Sequence, residues 1–335
     1  MAKTTPSQRE GDVLRFKSNT DMSKPKIAIT MGDPAGVGPE LGVRLLVETD
    51  IATRCDPVIF GSATILAAAA EKLELELPSA SEVHDLPLDT ELVPGKVSAA
   101  CGQASFDYIE QAIAAALDGK VAAVVTNPIN KEAWHAAGIT FPGHTELFAE
   151  RCQTDRFCMM MYSPAFSVAM VTTHVGYHEV PSLLTSDRIV EVIELAAAAI
   201  EKIEGRPARL VCLGLNPHAG ENGLFGNQEE ENIIASAVET ARSKGIEIEG
   251  PLPPDTCFLP SRRESTDCFI CMYHDQALIP FKALNFDTGV NVTLGLPMVR
   301  TSVDHGTAFD IAWQGIADVS SLVAAVNLAI LKAGA

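Results

Sequence analysis

The sequence has 335 residues, of which 47% are hydrophobic and 20% charged, proportions typical of a soluble globular protein with one large domain or two smaller ones. Its formal net charge of −18 argues against nucleic acid or an anionic membrane surface as partner, because both need a basic face. A small anionic substrate is compatible with this charge if a few cations are concentrated locally. No apolar run approaches the ~20 residues that span a bilayer.

Eight scattered cysteines, with no signal peptide ahead of them, predict free thiols and a cytoplasmic location. Cys268 and Cys271 form a C-x-x-C, but they lie inside the apolar run CFICMY. A redox pair is usually found at a helix N-terminus, so the pattern favours a structural role over a redox or zinc role.

Residues 1–24 are polar and aperiodic, which predicts a disordered tail. The fold is predicted to begin with a buried strand at 26–30, followed by the loop MGDPAGVGPE and a helix. The spacing G-x-x-x-G-x-G matches neither the Rossmann fingerprint nor a P-loop. A ligand-binding loop and a plain strand-to-helix turn therefore both remain open.

Strand and helix patterns alternate along the rest of the chain, and this alternation predicts an α/β fold with mostly parallel strands. No repeat or linker marks a domain boundary. The predicted strands are 57–61, 121–125, 166–173, 209–215 and 268–273, and the predicted helices lie at 63–73, 106–117, 147–152, 189–205 and 234–241.

Two residues stand at the start of the helix predicted near 147–152. His144 and Thr145, in FPGHTE, could help to hold an anion with the free backbone N–H groups of the first turn. N-capping of the helix by Thr145 is an equally good interpretation.

Three histidines share one context, because His174, His218 and His274 each follow a predicted buried strand. Ligands of open α/β sheets bind at the carboxyl ends of strands, so side chains in this position can converge. Three imidazoles at one point suggest a divalent metal that keeps its Lewis acidity. Any one of them alone would more often be a structural histidine, but the repeated placement favours a shared site.

The segment 272–307 carries many polar side chains among apolar ones. Lys282, Asn291 and Arg300 would offer cations and a donor to an anionic substrate, with Arg suited to bidentate recognition of carboxylate or phosphate. The alternative for Lys282 and Arg300 is a solvated surface, which their apolar neighbours disfavour.

Several motifs give the chain a specific resemblance: MGDPAGVGPE, PGHTE, TTH, LNPHAGE, MYHDQ, GVNVTLGLP and RTSVDHGTAFDIA. From residue 27 to 330 the chain resembles the 4-hydroxythreonine-4-phosphate dehydrogenase (PdxA) family. The resemblance implies a homodimer with shared active sites. It also implies metal ligands at His174, His218 and His274, and substrate contacts at His144, Thr145, Lys282, Asn291 and Arg300.

The segment 304–312 is similar to the cofactor loop of isocitrate and isopropylmalate dehydrogenases. This similarity implies NAD or NADP bound at Asp304, His305, Gly306 and Thr307, and a two-domain architecture with mostly parallel sheets and an interdomain active-site cleft. Domain 1, on the cofactor side, is expected to comprise residues 25–147 and 290–335. Domain 2, with the metal and the dimer contact, is expected to comprise residues 148–289.

The implied reaction is NAD(P)- and metal-dependent oxidative decarboxylation of a phosphorylated four-carbon hydroxy acid. The first candidate is 4-phosphohydroxy-L-threonine, an intermediate of pyridoxine biosynthesis, and the alternative is a 4-phosphorylated threonate or erythronate from sugar-acid catabolism. Zn, Mg, Co, Mn and Ni remain open as the metal. The candidate general acids or bases are Lys282, Asp255 and Asp275.

Two other classes of function are compatible with parts of the sequence. A metal-dependent lyase or hydrolase would use the histidines without nicotinamide and would leave the DHGTAFD segment unexplained. A non-catalytic sensor would keep the fold and bind a metabolite without turnover.

Overall fold

The computed structural model of the chain describes residues 24–285 and 288–334. The predicted tail, residues 1–24, therefore lies outside the described residues except for Lys24, whose ammonium donates a hydrogen bond to the Ala52 carbonyl at 2.8 Å. No helix in the described part of the chain is both long and apolar enough to cross a membrane.

A sheet of 11 strands runs through the molecule. Its strands are β1 (Lys26–Thr30), β2 (Asp56–Gly61), β3 (Glu82–Asp85), β4 (Ala123–Thr126), β5 (Cys158–Tyr162), β6 (Ser167–Met170), β7 (Leu210–Leu213), β8 (Ile248–Leu252), β9 (Cys268–Cys271), β10 (Val290–Leu294) and β11 (Val299–Ser302).

Helices connect most of these strands. They are α1 (Gly38–Glu48), α2 (Ala63–Lys72), α3 (Ala99–Leu117), α4 (Lys131–Ala136), α5 (His144–Arg151), α6 (Val180–Leu183), α7 (Ser186–Glu204), α8 (Ala235–Ser243), α9 (Pro254–Cys257), α10 (Pro260–Ser265), α11 (His274–Asn285) and α12 (Ser320–Ala333). Short 3₁₀ turns lie at Ile51–Thr53 and Pro217–Glu221, and a π-helical turn at Glu230–Ile234 leads into α8.

The strand order is β3-β2-β1-β4-β11-β10-β5-β6-β9-β7-β8. Most neighbouring pairs are parallel, and the antiparallel pairs are β11–β10, β10–β5 and β5–β6. The α/β class with a mostly parallel sheet is thus confirmed. Because three successive pairs are antiparallel, the group β3-β2-β1-β4-β11 and the group β6-β9-β7-β8 run in opposite directions.

The predicted domain boundary falls at these central strands. β10 belongs to the predicted domain 1 and β5 to the predicted domain 2, yet the two strands pair from Val290–Tyr162 to Leu294–Cys158. The sheet is therefore continuous across the boundary, and the two-domain division with its interdomain cleft stays a prediction.

The apolar faces predicted for the helices pack on this sheet. In α7, Ile189, Ile193 and Ile200 are buried, and the helix ends at Gly205, whose φ of 68° is the left-handed conformation that glycine adopts without a Cβ penalty. Helices α7 and α12 contact the central strands, and α11 packs on β6 and β9. The middle of the sheet is thus enclosed by helices, and α11 brings its own side chains close to it.

Three strands end earlier than predicted. β6 ends at Met170, β7 at Leu213 and β9 at Cys271, so the three histidines follow their strands after two to four intervening residues rather than at once. Two hydrogen bonds, from Val171 N to Cys271 O and from Thr172 N to Met272 O, extend the β6–β9 ladder beyond these bounds. Pairing between the two chain segments therefore continues beyond the C-terminal ends of β6 and β9.

Candidate functional site

A pocket of about 400 Å³ lies over the central strands of the sheet. Side chains of β5, β10 and β11 line it, and α5 and α11 enclose it. Many of the residues predicted from the sequence lie in its wall: His144, Thr145, His174, His274, Lys282, Asn291, Arg300, Asp304, His305 and Gly306.

Arg300 is the best-fixed cation of this pocket. It lies on β11 and is buried, and its guanidinium donates to Thr126 Oγ1 at 2.7 Å and to Thr293 Oγ1 at 3.1 Å. Burial lowers the pKa of Arg300 to about 9, which still leaves the group charged at neutral pH. Since its hydrogen bonds go to hydroxyl and amide oxygens and not to a carboxylate, its charge is available to an anionic ligand.

The start of α5 provides a second anion-binding feature. The helix begins at His144 with Gly143 as its N-cap and without a side-chain cap, so N-capping by Thr145 is wrong. The free N–H groups of a helix N-terminus favour anions. Burial, Arg300 and Lys131 together hold the pKa of His144 well below its usual value, and its Nε2 atom is buried without a partner. His144 is therefore a neutral imidazole that can still hydrogen-bond a ligand.

His174 and His274 lie side by side, with ring centroids 5.7 Å apart. Their Nδ1 atoms face carboxylates: that of His174 is 3.8 Å from Glu146, and that of His274 is 2.7 Å from Asp275. Carboxylates placed in this way orient metal-binding imidazoles and leave Nε2 for the metal. His174 also has a φ of 49°, a strained conformation that is found more often at functional sites.

His218 does not join these two histidines within the chain. It lies in the 3₁₀ turn after β7, it has a φ of 54°, and its ring contacts Phe225 rather than the pocket. No group of three or more His, Cys, Asp or Glu side chains in the described ranges is placed to hold a metal ion. The predicted three-histidine metal site is therefore not assembled by one copy of the chain.

The candidate general acids and bases lie in three different places. Lys282, on α11, lines the pocket and forms an ion pair with Asp304 at 3.0 Å, and burial raises the pKa of Asp304 against this partner. Asp275 lines an adjoining pocket of about 260 Å³, where it accepts hydrogen bonds from His274 and Tyr177. Asp255 is exposed on α9 and lines neither pocket, so Lys282 is the best placed of the three.

The predicted cofactor segment is braced by the loop after β1. Val37 N donates to Thr307 O at 3.0 Å, and a Cβ built on Gly36 would stand 3.0 Å from Thr307 Cβ. Asp304, His305 and Gly306 then continue into the pocket wall. The glycine-rich loop thus packs against the predicted cofactor segment instead of forming an isolated strand-to-helix turn.

Three pocket residues with charged or hydroxyl side chains were not among the predicted ones. Glu146 follows Thr145 in PGHTE, and its carboxylate faces His174, which lowers the pKa of Glu146. Lys131 opens α4 just after the end of β4, the position where ligands were expected. Ser302 lies two residues after Arg300, so the two-residue period of a strand could have placed it on the same face.

Comparisons with known proteins give matches over most of the chain. The family model "Pyridoxal phosphate biosynthetic protein PdxA" matches residues 53–329. A 4-hydroxythreonine-4-phosphate dehydrogenase of Desulforapulum autotrophicum is 45% identical over 333 residues, which covers 93% of this chain and 96% of that protein. A D-threonate 4-phosphate dehydrogenase of Cupriavidus necator is 43% identical over 318 residues, with 90% and 96% covered. The crystal structure of a 4-hydroxythreonine-4-phosphate dehydrogenase from Klebsiella pneumoniae is 42% identical and superposes with a TM-score of 0.82, covering 94% of this chain and 99% of that one.

Proposed function

The chain belongs to the PdxA family of nicotinamide-dependent dehydrogenases, and on this basis we propose that it oxidatively decarboxylates 4-phosphohydroxy-L-threonine. The observation that carries the proposal is one pocket that combines a buried guanidinium, a second cation at Lys282 and a pair of carboxylate-oriented histidines. The same pocket suits the 4-phosphate of D-threonate, and the Cupriavidus necator relative makes that compound the second candidate.

The cations divide the pocket into regions with separate tasks. Arg300, His144 and the N-terminus of α5 form a region that binds the anionic groups of the substrate through charge-assisted hydrogen bonds. Asn291, whose amide oxygen accepts from Arg300 at 3.4 Å, keeps its amide group on the pocket face. Lys282 holds a proton beside the reacting carbons and can deliver it after carbon dioxide has left.

The histidine pair is the proposed metal site, with His218 of a second copy of the chain as the third ligand. The donor set fits a divalent metal, because both imidazoles have their Nδ1 atoms turned to carboxylates. When bound, such a metal supplies Lewis acidity and the nicotinamide accepts a hydride. Asp304, His305, Gly306 and Thr307 are the proposed contacts of NAD or NADP.

A homodimer and a cytoplasmic location complete the proposal. The dimer is supported by the position of His218 away from the pocket, which leaves the histidine set incomplete in one chain. The location is supported by the cysteines, all of which are free thiols, as expected in a reducing compartment.

The test is a dehydrogenase assay with both phosphorylated acids, each with NAD and with NADP, in the presence of Zn, Mg, Co, Mn or Ni. We expect NADH or NADPH formation together with carbon dioxide release, and the ratio of kcat/KM values identifies the substrate. Lys282→Met should abolish turnover, whereas Lys120→Met, a change of an exposed lysine, should not. Absence of reduced nicotinamide with every combination would contradict the proposal, and turnover without nicotinamide would instead support a lyase or hydrolase.

A further inference from the structure

A second pocket of about 400 Å³ lies between α7, α12 and the turn that joins β10 to β11. It shares no lining residue with the candidate active site. Its volume is within the range of small-molecule sites in proteins. The pocket is therefore large enough for a ligand of its own.

Two lysines, Lys202 on α7 and Lys332 on α12, line this pocket. Among the described residues neither has a hydrogen-bond or ion-pair partner, and no aspartate or glutamate lines the pocket. The chain has 43 acidic residues against 25 lysines and arginines, so two unpaired lysines that share a concave site are unexpected. Their charges focus a local positive potential on a molecule that is negative overall.

Lys332 makes this arrangement costly for the empty protein. It is only 8% exposed as a residue, and among the described residues its ammonium has no acceptor. Burial, reinforced by the charge of Lys202, lowers the pKa of Lys332 to about 8. An anion between the two lysines would remove both penalties, because it would supply the missing acceptor and offset their repulsion.

The rest of the wall indicates what kind of anion fits. Leu195, Leu296 and Met298 contribute apolar surface, and most of the other lining residues are also apolar. A strongly hydrated ion such as inorganic phosphate would leave this surface uncovered. We propose that the pocket binds a small monocarboxylate, whose carboxylate lies between Lys202 and Lys332 and whose short apolar chain packs on the leucines and the methionine.

Hexanoate is a suitable probe, and its binding to the full chain can be measured by titration calorimetry. We expect saturable binding to the wild-type protein and a loss of roughly tenfold or more in affinity for Lys332→Met and for Lys202→Met, because each removes one charge-assisted contact. Lys120→Met, an exposed lysine outside the pocket, serves as the matched control and should bind like wild type. Lys202 is exposed on its helix, so Lys202→Met keeps the test valid if Lys332→Met does not fold.

Four results with the wild-type protein and the two pocket variants would overturn the proposal. These are the absence of saturable binding, equal affinity of both pocket variants and wild type, equally tight binding of the neutral 1-hexanol, and displacement of hexanoate by an equal concentration of inorganic phosphate. Lys282→Met distinguishes hexanoate binding in this pocket from hexanoate binding in the active site. If that variant rather than the pocket variants lost hexanoate, the binding would belong to the catalytic pocket and the inference would be wrong.

Discussion

Arg300 is 2% exposed and its hydrogen-bond partners are hydroxyl and amide oxygens, so the free protein holds a buried cation that is not hydrogen-bonded to a carboxylate and is offset only in part by the nearby charge of Glu146. Burying a charge without a counter-charge is costly, and the cost is recovered when an anion binds. The aromatic ring of Phe148, 5.5 Å from the guanidinium carbon, adds a weaker compensation. Arg300 therefore contributes to anion binding rather than to the stability of the free protein.

Replacing Arg300 should show this directly. We expect Arg300→Met to lower kcat/KM for the phosphorylated substrate. The fall should correspond to a loss of roughly 2–5 kcal/mol of transition-state stabilisation, the usual cost of removing one partner of a buried charge pair. Arg300→Lys should recover only part of this loss, since an ammonium cannot bind two oxygens in the plane of a guanidinium. Steady-state kinetics measures the effect, and Arg262→Met, which changes an arginine on α10 paired with Glu249, is the control. Unchanged kcat/KM in Arg300→Met would mean that the substrate anion binds elsewhere.

Asp33, in the loop after β1, gives a second prediction because burial raises its pKa to about 6. A raised carboxyl pKa means that the folded state holds the proton more tightly than the unfolded state, so stability falls as pH rises from about 4 through 6. Asp33→Asn keeps an oxygen to accept from Ala35 N and removes the buried charge. The variant should be more stable than wild type above pH 6, by on the order of 3 kcal/mol at most, and the gain should shrink as pH falls.

Denaturant unfolding between about pH 5 and pH 8 measures this difference. Asp118→Asn, an exposed aspartate paired with Lys120, should show little change over the same range. A stability gain for Asp33→Asn that stayed constant with pH would show that the carboxyl does not titrate in this window.

Individual residues of the site could be predicted where polar side chains interrupt apolar sequence, as at Lys282, Asn291 and Arg300. Glu146 could not be recognised in the same way, because its role depends on a contact with His174, which lies 28 positions further along the chain. Asp255 was a candidate acid or base as well, and the fold leaves it exposed on α9, where it lines neither pocket.

At the scale of elements, the loop between β1 and α1 depends on close backbone contacts. Gly38 opens α1, and a Cβ built there would stand 1.9 Å from the Met31 carbonyl oxygen, a backbone atom that cannot move aside cheaply. Gly42, one turn later in the same helix, has Leu66 Cδ1 at 3.5 Å as the nearest neighbour of such a Cβ, which is an ordinary contact. The two glycines therefore form a matched pair.

We expect Gly38→Ala to destabilise the protein by roughly 1–3 kcal/mol through steric strain. Gly42→Ala should be neutral or stabilise by up to roughly 1 kcal/mol, because alanine is the better helix former. Midpoints of urea unfolding measure both changes. If the two variants shifted the midpoint equally, the close approach of α1 to Met31 would be contradicted.

The elements that the sequence predicted well are those with a clear period, such as α7 with its isoleucines and the strands β1, β2 and β4. β5 was missed because Cys158–Tyr162 reads CMMMY, which is buried on both faces and rich in methionine rather than β-branched residues. β10 and β11 were missed because Asn291 and Arg300 interrupt their apolar pattern. In both strands the residues that obscured the structure are those that line the pocket.

For the molecule as a whole, the reversal of strand direction at β10 and β5 is the feature that places the site. The candidate pocket lies over these central strands and not along a single edge of carboxyl ends, as the position of the histidines had suggested. Such a reversal depends on pairing between segments far apart in sequence, β5 at Cys158–Tyr162 and β10 at Val290–Leu294. Periodicity within each segment carries no information about this pairing. The family resemblance was recognised from the motifs, and it supplied most of the predicted site residues.

The incomplete histidine set leads to the last prediction, which concerns the dimer. His174 and His274 line the pocket of one chain, and His218 lies outside it. If His218 completes the metal site of the other copy, then His218→Ala and His274→Ala should each be inactive alone. Mixing the two variants creates heterodimers in which one of two sites has all three histidines, since one chain supplies the pair and the other supplies His218.

The experiment co-refolds or co-expresses the two variants and measures dehydrogenase activity. Random pairing makes about half of the dimers mixed, each with one intact site, so activity should return to roughly a quarter of wild type. Mixing His174→Ala with His274→Ala is the matched control: both changes lie in the same pocket, every site then lacks a ligand, and activity should stay absent. Bound metal, counted by elemental analysis of the mixtures, should follow the activity. Recovery in the control would mean that His174 and His274 of one site come from different chains. No recovery in the His218 mixture would place all three histidines on one chain or remove His218 from the site.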